Sequence, residues 1–281
     1  MNLAWCNGAM VDGPLALDPR DRGLLLGDGL FETLMVVNRT ALWRNMHLAR
    51  LEGSARELGI GFDRAAADLA FDTLLGLGSD EHQVLRLTLT RGAAVRGLAG
   101  NGGASILLAS LDPFDPGLMF QPTGLITAAV RRSLQSPAAR LKTLSYVDNI
   151  VAAREAKSRG HDDALMLNTR GSVACSTIAN VFLIKGTKLI TPGRDQGLLT
   201  GVMRQVLLAA AHRAGFEAVE RSVKPTELLT GDGVFLTNSL RFIRPVTVLD
   251  GRPLAQADLG PLAEQLCAAA RLQCGRDPRL I

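Results

Sequence analysis

The sequence predicts an α+β fold in two domains. Helix and strand patterns are mixed along the chain without the regular strand–helix–strand rhythm of a parallel sheet. The length of 281 residues is about twice that of an ordinary domain. One segment, Asp112-Pro113-Phe114-Asp115-Pro116-Gly117, places two prolines and a glycine in six residues, which breaks any regular element. The expected division is a small α/β domain over 1–112, a linker over 113–120 and a larger domain over 121–281.

The elements follow in order. Asn7-Gly8 and Asp12-Gly13-Pro14 are turn signals. Leu34–Val37 reads as a strand, Asn38 as a turn, and Ala41-Leu42-Trp43 as a second strand. From His47 the spacing of Leu48, Leu51, Ala55 and Leu58 predicts a helix closed by Gly59. Val84–Thr90 and Ser105–Ala109 read as strands, and Gly100-Asn101-Gly102-Gly103 between them as a hairpin turn. A Rossmann glycine loop would follow its strand rather than precede it. Beyond the linker come a strand at Gly124–Val130 and a helix from about Tyr146 to Arg159, closed by Gly160. Strands at Ala164–Leu167, Asn180–Ile184 and Lys188–Ile190 follow. A helix from about Gly201 to Ala214, a strand at Val234–Thr237 and a helix from about Pro261 to Leu272 complete the chain.

Composition excludes several classes. Hydrophobic residues at 47% rule out a disordered chain. No run approaches the ~18 apolar residues of a membrane span. The N-terminal MNLAWCNGAMVDG has no basic segment before an apolar core, so a cytoplasmic protein is expected. The net charge of +4 is spread along the chain, and aromatics at 4% are too few for a base-stacking surface, so no nucleic-acid partner is expected. Cys6, Cys175, Cys267 and Cys274 are far apart and read as reduced thiols. The four histidines show no metal-ligand spacing, so no metal site is expected.

Read alone, two features hint at chemistry. Arg91-Gly92 and Arg96-Gly97 lie just past an apolar strand, where arginine forks could clamp a carboxylate. Lys142, between Leu141 and Thr143, falls in a stretch that looks half-buried. A desolvated lysine is less basic and can act as a nucleophile or Schiff-base former.

Taken together, the segments resemble one family. Asp21-Arg22-Gly23 with Gly27-Asp28-Gly29-Leu30-Phe31-Glu32-Thr33 is similar to a DRG…GDGxFET segment, and His47-Leu48-Ala49-Arg50-Leu51 to HxxRL. Lys142-Thr143-Leu144-Ser145-Tyr146 with Asn149 is similar to the K-[ST]-L-N-Y…N stretch that bears a Schiff-base lysine. Asn180-Val181-Phe182, Thr191-Pro192, Leu199–Arg204 and Thr237-Asn238-Ser239 continue the match in order. The family is the class IV, fold type IV, pyridoxal-phosphate enzymes. It includes branched-chain and D-amino acid aminotransferases and 4-amino-4-deoxychorismate lyase. The resemblance implies a D-amino acid aminotransferase-like fold, with a small α/β domain and a larger barrel-like one, working as a homodimer with the active site near the interface.

It also implies roles. Lys142 would bind pyridoxal 5'-phosphate covalently and then carry the proton. Arg50 would pair with the phosphate, Val202 and Met203 would offer it backbone N–H groups, and Ser239 a hydroxyl. Thr33 and Tyr146 would assist the leaving group. One position departs from the pattern. A glutamate that pairs with the pyridine nitrogen usually follows the G-x-V-x motif, whereas this chain reads Gly171-Ser172-Val173-Ala174-Cys175. Either the electron sink is weakened, or Cys175 ionises, or ordinary cofactor chemistry is lost.

Two features favour the lyase within the family. Arg91–Leu98 resembles an RGxGxRGY loop, so Arg91 and Arg96 would hold substrate carboxylates. Thr237–Leu240 with Arg244-Pro245-Val246 resembles a TNSL…PV ending. The expected reaction is conversion of 4-amino-4-deoxychorismate to 4-aminobenzoate and pyruvate, in folate biosynthesis. The alternatives are an aminotransferase of D-amino or branched-chain amino acids, and a cofactor-poor repurposed relative.

Overall fold

The computed structural model describes residues 3–79, 81–100 and 102–280. The chain divides into two compact units. The first comprises Met1–Pro116, Leu141–Ser145 and Ala270–Ile281, and the second Gly117–Arg140 and Tyr146–Ala269.

In the first unit the strands are β1 (Leu3–Cys6), β2 (Ala9–Met10), β3 (Gly29–Val37), β4 (Thr40–Ala41), β5 (Gln83–Thr90) and β6 (Ile106–Pro113). The helices are α1 (Arg22–Leu26), α2 (Arg44–Leu58) and α3 (Arg64–Leu77). The strands form one antiparallel sheet in the order β2-β1-β6-β5-β3-β4. Period-two alternation sends Leu30, Leu34 and Val36 of β3, with Leu85, Leu87 and Leu89 of β5, to one face. There they pack on Leu48 and Leu51 of α2 and on Phe71 and Leu74 of α3. The opposite face carries Phe31, Thr33 and Met35 of β3 beside Arg86 and Thr88 of β5.

Gly59 ends α2 as expected, in the left-handed region at φ 64°, donating its N–H to Ala55 and Arg56. The sequence reading overlooked α3, although Asp63 caps it by accepting from Ala65 N and Ala66 N, and Ala67, Ala70, Phe71 and Leu74 follow at helical spacing. Strand β3 begins five residues before the expected Leu34, because Gly29 to Thr33 continue the pairing with β5. The turn expected at Gly100–Gly103 includes Asn101, which lies outside the described residues.

The second unit contains β7 (Thr123–Thr127), α4 (Pro137–Arg140), α5 (Val147–Ser158), β8 (Asp163–Leu167), β9 (Val173–Ser176), β10 (Asn180–Lys185) and β11 (Lys188–Pro192). It continues through α6 (Val202–Ala210), β12 (Glu217–Arg221), α7 (Pro225–Leu228), β13 (Gly233–Asn238), β14 (Phe242–Leu249), β15 (Arg252–Pro253) and α8 (Gly260–Cys274). The nine strands form a mixed sheet, β12-β11-β10-β13-β14-β7-β8-β9, with β15 on β14. Strand β8 alternates between two apolar layers. Leu165 and Leu167 join Val181, Leu183 and Val246, whereas Ala164 and Met166 join Ala152 and Ala156 of α5.

The partition departs from a single cut at the linker. Leu141–Ser145 belongs with the first unit because Phe31 N donates to Lys142 O at 2.9 Å and Leu144 N to Gly29 O at 2.9 Å, an antiparallel bridge of Leu30 with Thr143. The end of α8 belongs there too, where Asn38 Nδ2 donates to Cys274 O at 3.0 Å. Among the described residues no helix is long and apolar enough to cross a membrane.

Candidate active site

In the first unit, β3 brings the expected lysine and arginine under one control. Lys142 is held by the backbone bridge to β3, and its Nζ lies 4.1 Å from the centroid of the Phe31 ring. The neighbouring Glu32 faces the helix side of the same strand. Its Oε1 accepts from Arg50 Nε at 2.8 Å, and its Oε2 from Arg50 Nη2 at 2.6 Å. His47, one turn before Arg50 on α2, completes the set with Nδ1 2.7 Å from Glu32 Oε2.

Burial pulls the Lys142 amine down to about 8; Glu32 opposes this, and the Arg50 and Arg86 charges add to it. Burial works against ionisation of Glu32, but the Arg50 charge and then the His47 hydrogen bond outweigh it and hold the carboxyl at about 2. Burial also keeps His47 below its ordinary value despite the Glu32 hydrogen bond. The set is thus a poorly basic amine, an ionised carboxylate with its guanidinium, and a neutral imidazole donating from Nδ1.

Thr33 lies on the same face as Phe31, opposite Arg86 in the ladder. The Arg86 guanidinium carbon sits 4.1 Å from the Phe31 ring centroid. Sequence reasoning missed Arg86, though the alternation Leu85-Arg86-Leu87 places it on the face away from the core.

Arg91 is engaged within its own unit. Its Nε donates to Asp28 Oδ2 at 2.8 Å, its Nη1 to Gly59 O at 2.8 Å and its Nη2 to Leu58 O at 2.7 Å. The fork expected to meet a substrate carboxylate makes these bonds to Asp28 and to the end of α2. Arg22 shares Asp28 Oδ2 through Nε at 2.8 Å and holds Gly97 O and Leu98 O at 2.8 and 2.9 Å. Arg96 stays exposed on the loop that Arg22 secures.

In the second unit, Val202 and Met203 form the first turn of α6, whose N-cap residue Gly201 makes no side-chain cap bond, and helix-start N–H groups of this kind suit an anion. Gly201 precedes them with its N–H on Asn180 Oδ1 at 3.1 Å, and a Cβ at 201 would collide with that oxygen. Ser239 lies half-buried in the turn between β13 and β14, where Asn238 Oδ1 accepts from Leu240 N and Arg241 N. Tyr146 is the residue preceding α5.

Cys175 sits in β9 opposite Met166, within the apolar layer that includes Ala152 and Ala156. Burial pushes its thiol up to about 11; Arg132 works against this rise and Asp163 with it. Burial therefore favours the neutral form of the Cys175 thiol. Arg132 is buried on neutral acceptors, Asn149 Oδ1 at 3.1 Å and Ala139 O at 2.7 Å among them.

Within the first unit, a buried amine of low basicity stands near a carboxylate–guanidinium pair, the kind of amine that can form a Schiff base with an aldehyde cofactor. The chain belongs to the amino-transferase class IV family, whose profile matches residues 29–249. It is 29% identical over 269 residues to the D-alanine aminotransferase of Bacillus licheniformis, covering 94% of each chain. The crystal structure of 4-amino-4-deoxychorismate lyase from Pseudomonas aeruginosa is similar at TM-score 0.84 and 34% identity, covering 95% of this chain and 98% of that one. A hypothetical aminotransferase from Mycobacterium tuberculosis in its PLP-bound form is similar at TM-score 0.86 and 26% identity, covering 95% and 98%. The fold is thus fold type IV, and pyridoxal phosphate is the family's cofactor.

Proposed function

We propose that the chain is a lyase converting 4-amino-4-deoxychorismate to 4-aminobenzoate and pyruvate, a step in folate biosynthesis. The observation that carries this reading is the neutral, buried thiol of Cys175 where a carboxylate is expected. When bound, pyridoxal phosphate supplies an electron sink at the amine-bearing carbon. A thiol that keeps its own proton supports that sink less well than a carboxylate would. Elimination to an aromatic ring asks less of it than transamination does. The 34% identity to the Pseudomonas aeruginosa lyase supports the same choice.

The residues then divide the work. Lys142, poorly basic, would hold the cofactor covalently and, once freed by the incoming substrate amine, would take the proton from the amine-bearing carbon. The family resemblance assigns the phosphate to Arg50, to the N–H groups of Val202 and Met203 and to the Ser239 hydroxyl. Thr33 and Tyr146 give hydrogen bonds to the departing pyruvate oxygen. Arg96 and Arg86 meet the substrate carboxylates. Loss of the ring proton and departure of enolpyruvate leave 4-aminobenzoate, so no other reactant is consumed.

The working enzyme in this reading is a cytoplasmic homodimer. The consecutive Leu24, Leu25 and Leu26 of α1, 64%, 61% and 50% exposed, support an apolar contact with a second copy. Sedimentation of the purified protein tests this.

The reaction is tested by pyruvate release from 4-amino-4-deoxychorismate with no 2-oxo acid present. Release that disappears in Lys142→Ala supports the lyase. Turnover that appears only when a 2-oxo acid is added assigns the chain to the aminotransferases, and no turnover with either leaves the cofactor-poor relative.

A further inference from the structure

We propose that His47 is a positioning residue which, through Glu32, aims the Arg50 guanidinium at the cofactor phosphate. The proposal rests on the reading that Arg50 meets that phosphate.

Glu32 and His47 are almost fully buried, at 1% and 0% exposure. Charge balance does not call for His47. Glu32 is already paired with Arg50 through both oxygens, and the imidazole is neutral. The neighbours of His47 on the same helix, Leu48 and Leu51, already supply the apolar packing against β3. What His47 adds is direction. A carboxylate held only by one guanidinium can tilt about that pair. The third bond, from Nδ1 to Oε2 at 2.7 Å, ties the carboxylate to α2 at a second point. His47 and Arg50 are three residues apart on α2, so both reach Glu32 from one helix face. With Glu32 fixed in β3, the Nε–Nη2 edge of Arg50 is committed to it and the remaining edge takes a defined direction.

The neighbouring groups make this alignment consequential. Glu32 follows Phe31, whose N–H holds the Lys142 carbonyl. One strand therefore sets both the nucleophile and the phosphate arginine, the first through its backbone and the second through Glu32. A tilt of the Glu32 carboxylate would move Arg50 while leaving Lys142 in place, so the defect would be specific to the phosphate.

The test is titration of the purified protein with pyridoxal 5'-phosphate and, separately, with pyridoxal, which lacks the phosphate. Binding is followed by the visible band of the lysine adduct and by Trp fluorescence. His47→Leu is expected to weaken pyridoxal phosphate about tenfold, the scale of one hydrogen bond to a charged group, and to leave pyridoxal within twofold. His47→Asn, whose amide N–H can replace Nδ1–H, is expected to recover most of the loss. Glu32→Gln guards against a leucine variant that fails to fold; because Glu32 also acts on the Lys142 amine, it is read as a ratio, with pyridoxal phosphate expected to lose more affinity than pyridoxal does. The proposal is overturned if His47→Leu binds pyridoxal phosphate as the wild type does, if it loses both ligands equally, or if asparagine rescues nothing. If the wild type itself does not distinguish pyridoxal phosphate from pyridoxal, the reading of Arg50 fails first and the proposal falls with it.

Discussion

Phe31 holds Lys142 twice: its N–H donates to the lysine carbonyl at 2.9 Å, and its ring centroid lies 4.1 Å from Nζ. The ring shields the amine from water, and burial is the main reason its basicity falls to about 8. The rate at which Lys142 captures pyridoxal phosphate should therefore rise with pH and level off above about 8. In Phe31→Ala water reaches the amine, and the midpoint should move toward the ordinary 10.5, beyond the opposing loss of a cation–π contact. A stopped-flow pH series on both proteins measures the two midpoints; coincident midpoints would contradict the shielding role.

Acid stability should report Glu32. Its folded value of about 2 lies below the ordinary 4.5, so its contribution is complete above about 4.5 and is lost as pH falls from 4.5 through 2. The difference corresponds to about 3 kcal/mol. Urea denaturation between pH 5 and 2.5 should show a steeper fall for the wild type than for Glu32→Gln. Equal slopes would place the acid sensitivity elsewhere.

Asp28 should govern the substrate loop rather than the cofactor. One oxygen, Oδ2, takes Nε of both Arg22 and Arg91 at 2.8 Å. Burial raises the carboxyl, but the hydrogen bonds from Arg91 and Arg22 outweigh it and keep it below the usual range. Asp28→Asn should cost about 2 kcal/mol of stability and free the Gly97–Leu98 backbone that Arg22 secures. The expected signature is a raised KM with pyridoxal phosphate affinity nearly unchanged. An equal loss of both would mean that Asp28 supports the whole unit.

Cys175 should be slow toward thiol reagents at pH 8, well below its value of about 11, whereas the partly exposed Cys6 reacts first. Cys175→Glu should raise transamination relative to pyruvate release, because a carboxylate would support the electron sink. Replacing a thiol in an apolar layer by a carboxyl should also cost about 1–3 kcal/mol of stability. An unchanged ratio of the two activities would remove the reason for preferring elimination.

Much of this was legible in the sequence because it is local. The periodicity of α2 and its closure at Gly59 need only neighbouring residues, and β5 needs only its alternation. Lys142 and Arg50 were singled out through short motifs. The partners of Arg91 could not be read from the sequence because they are remote along it: Asp28 is 63 positions away, and the carbonyls of Leu58 and Gly59 are more than 30. Helix α3 went unseen although Asp63 and the apolar spacing announce it. The overlooked part of the site, Glu32 with His47, is a pairing between a strand and a helix, and no spacing rule in one chain segment reports such a pairing.

The attachment of Leu141–Ser145 to β3 bears on how such a protein could be recombined. A fragment ending at Pro116 would carry the arginine, the carboxylate and the ring but not the lysine they surround. Exchanging everything after the linker with a relative would import a foreign five-residue segment onto the native β3. A chimera that respects the architecture must take its second half in two pieces, leaving residues 141–145 and the last turns of α8 with their original sheet. The protein is modular in space but interleaved along its chain, and inheritance of the nucleophile follows the sheet rather than the order of residues.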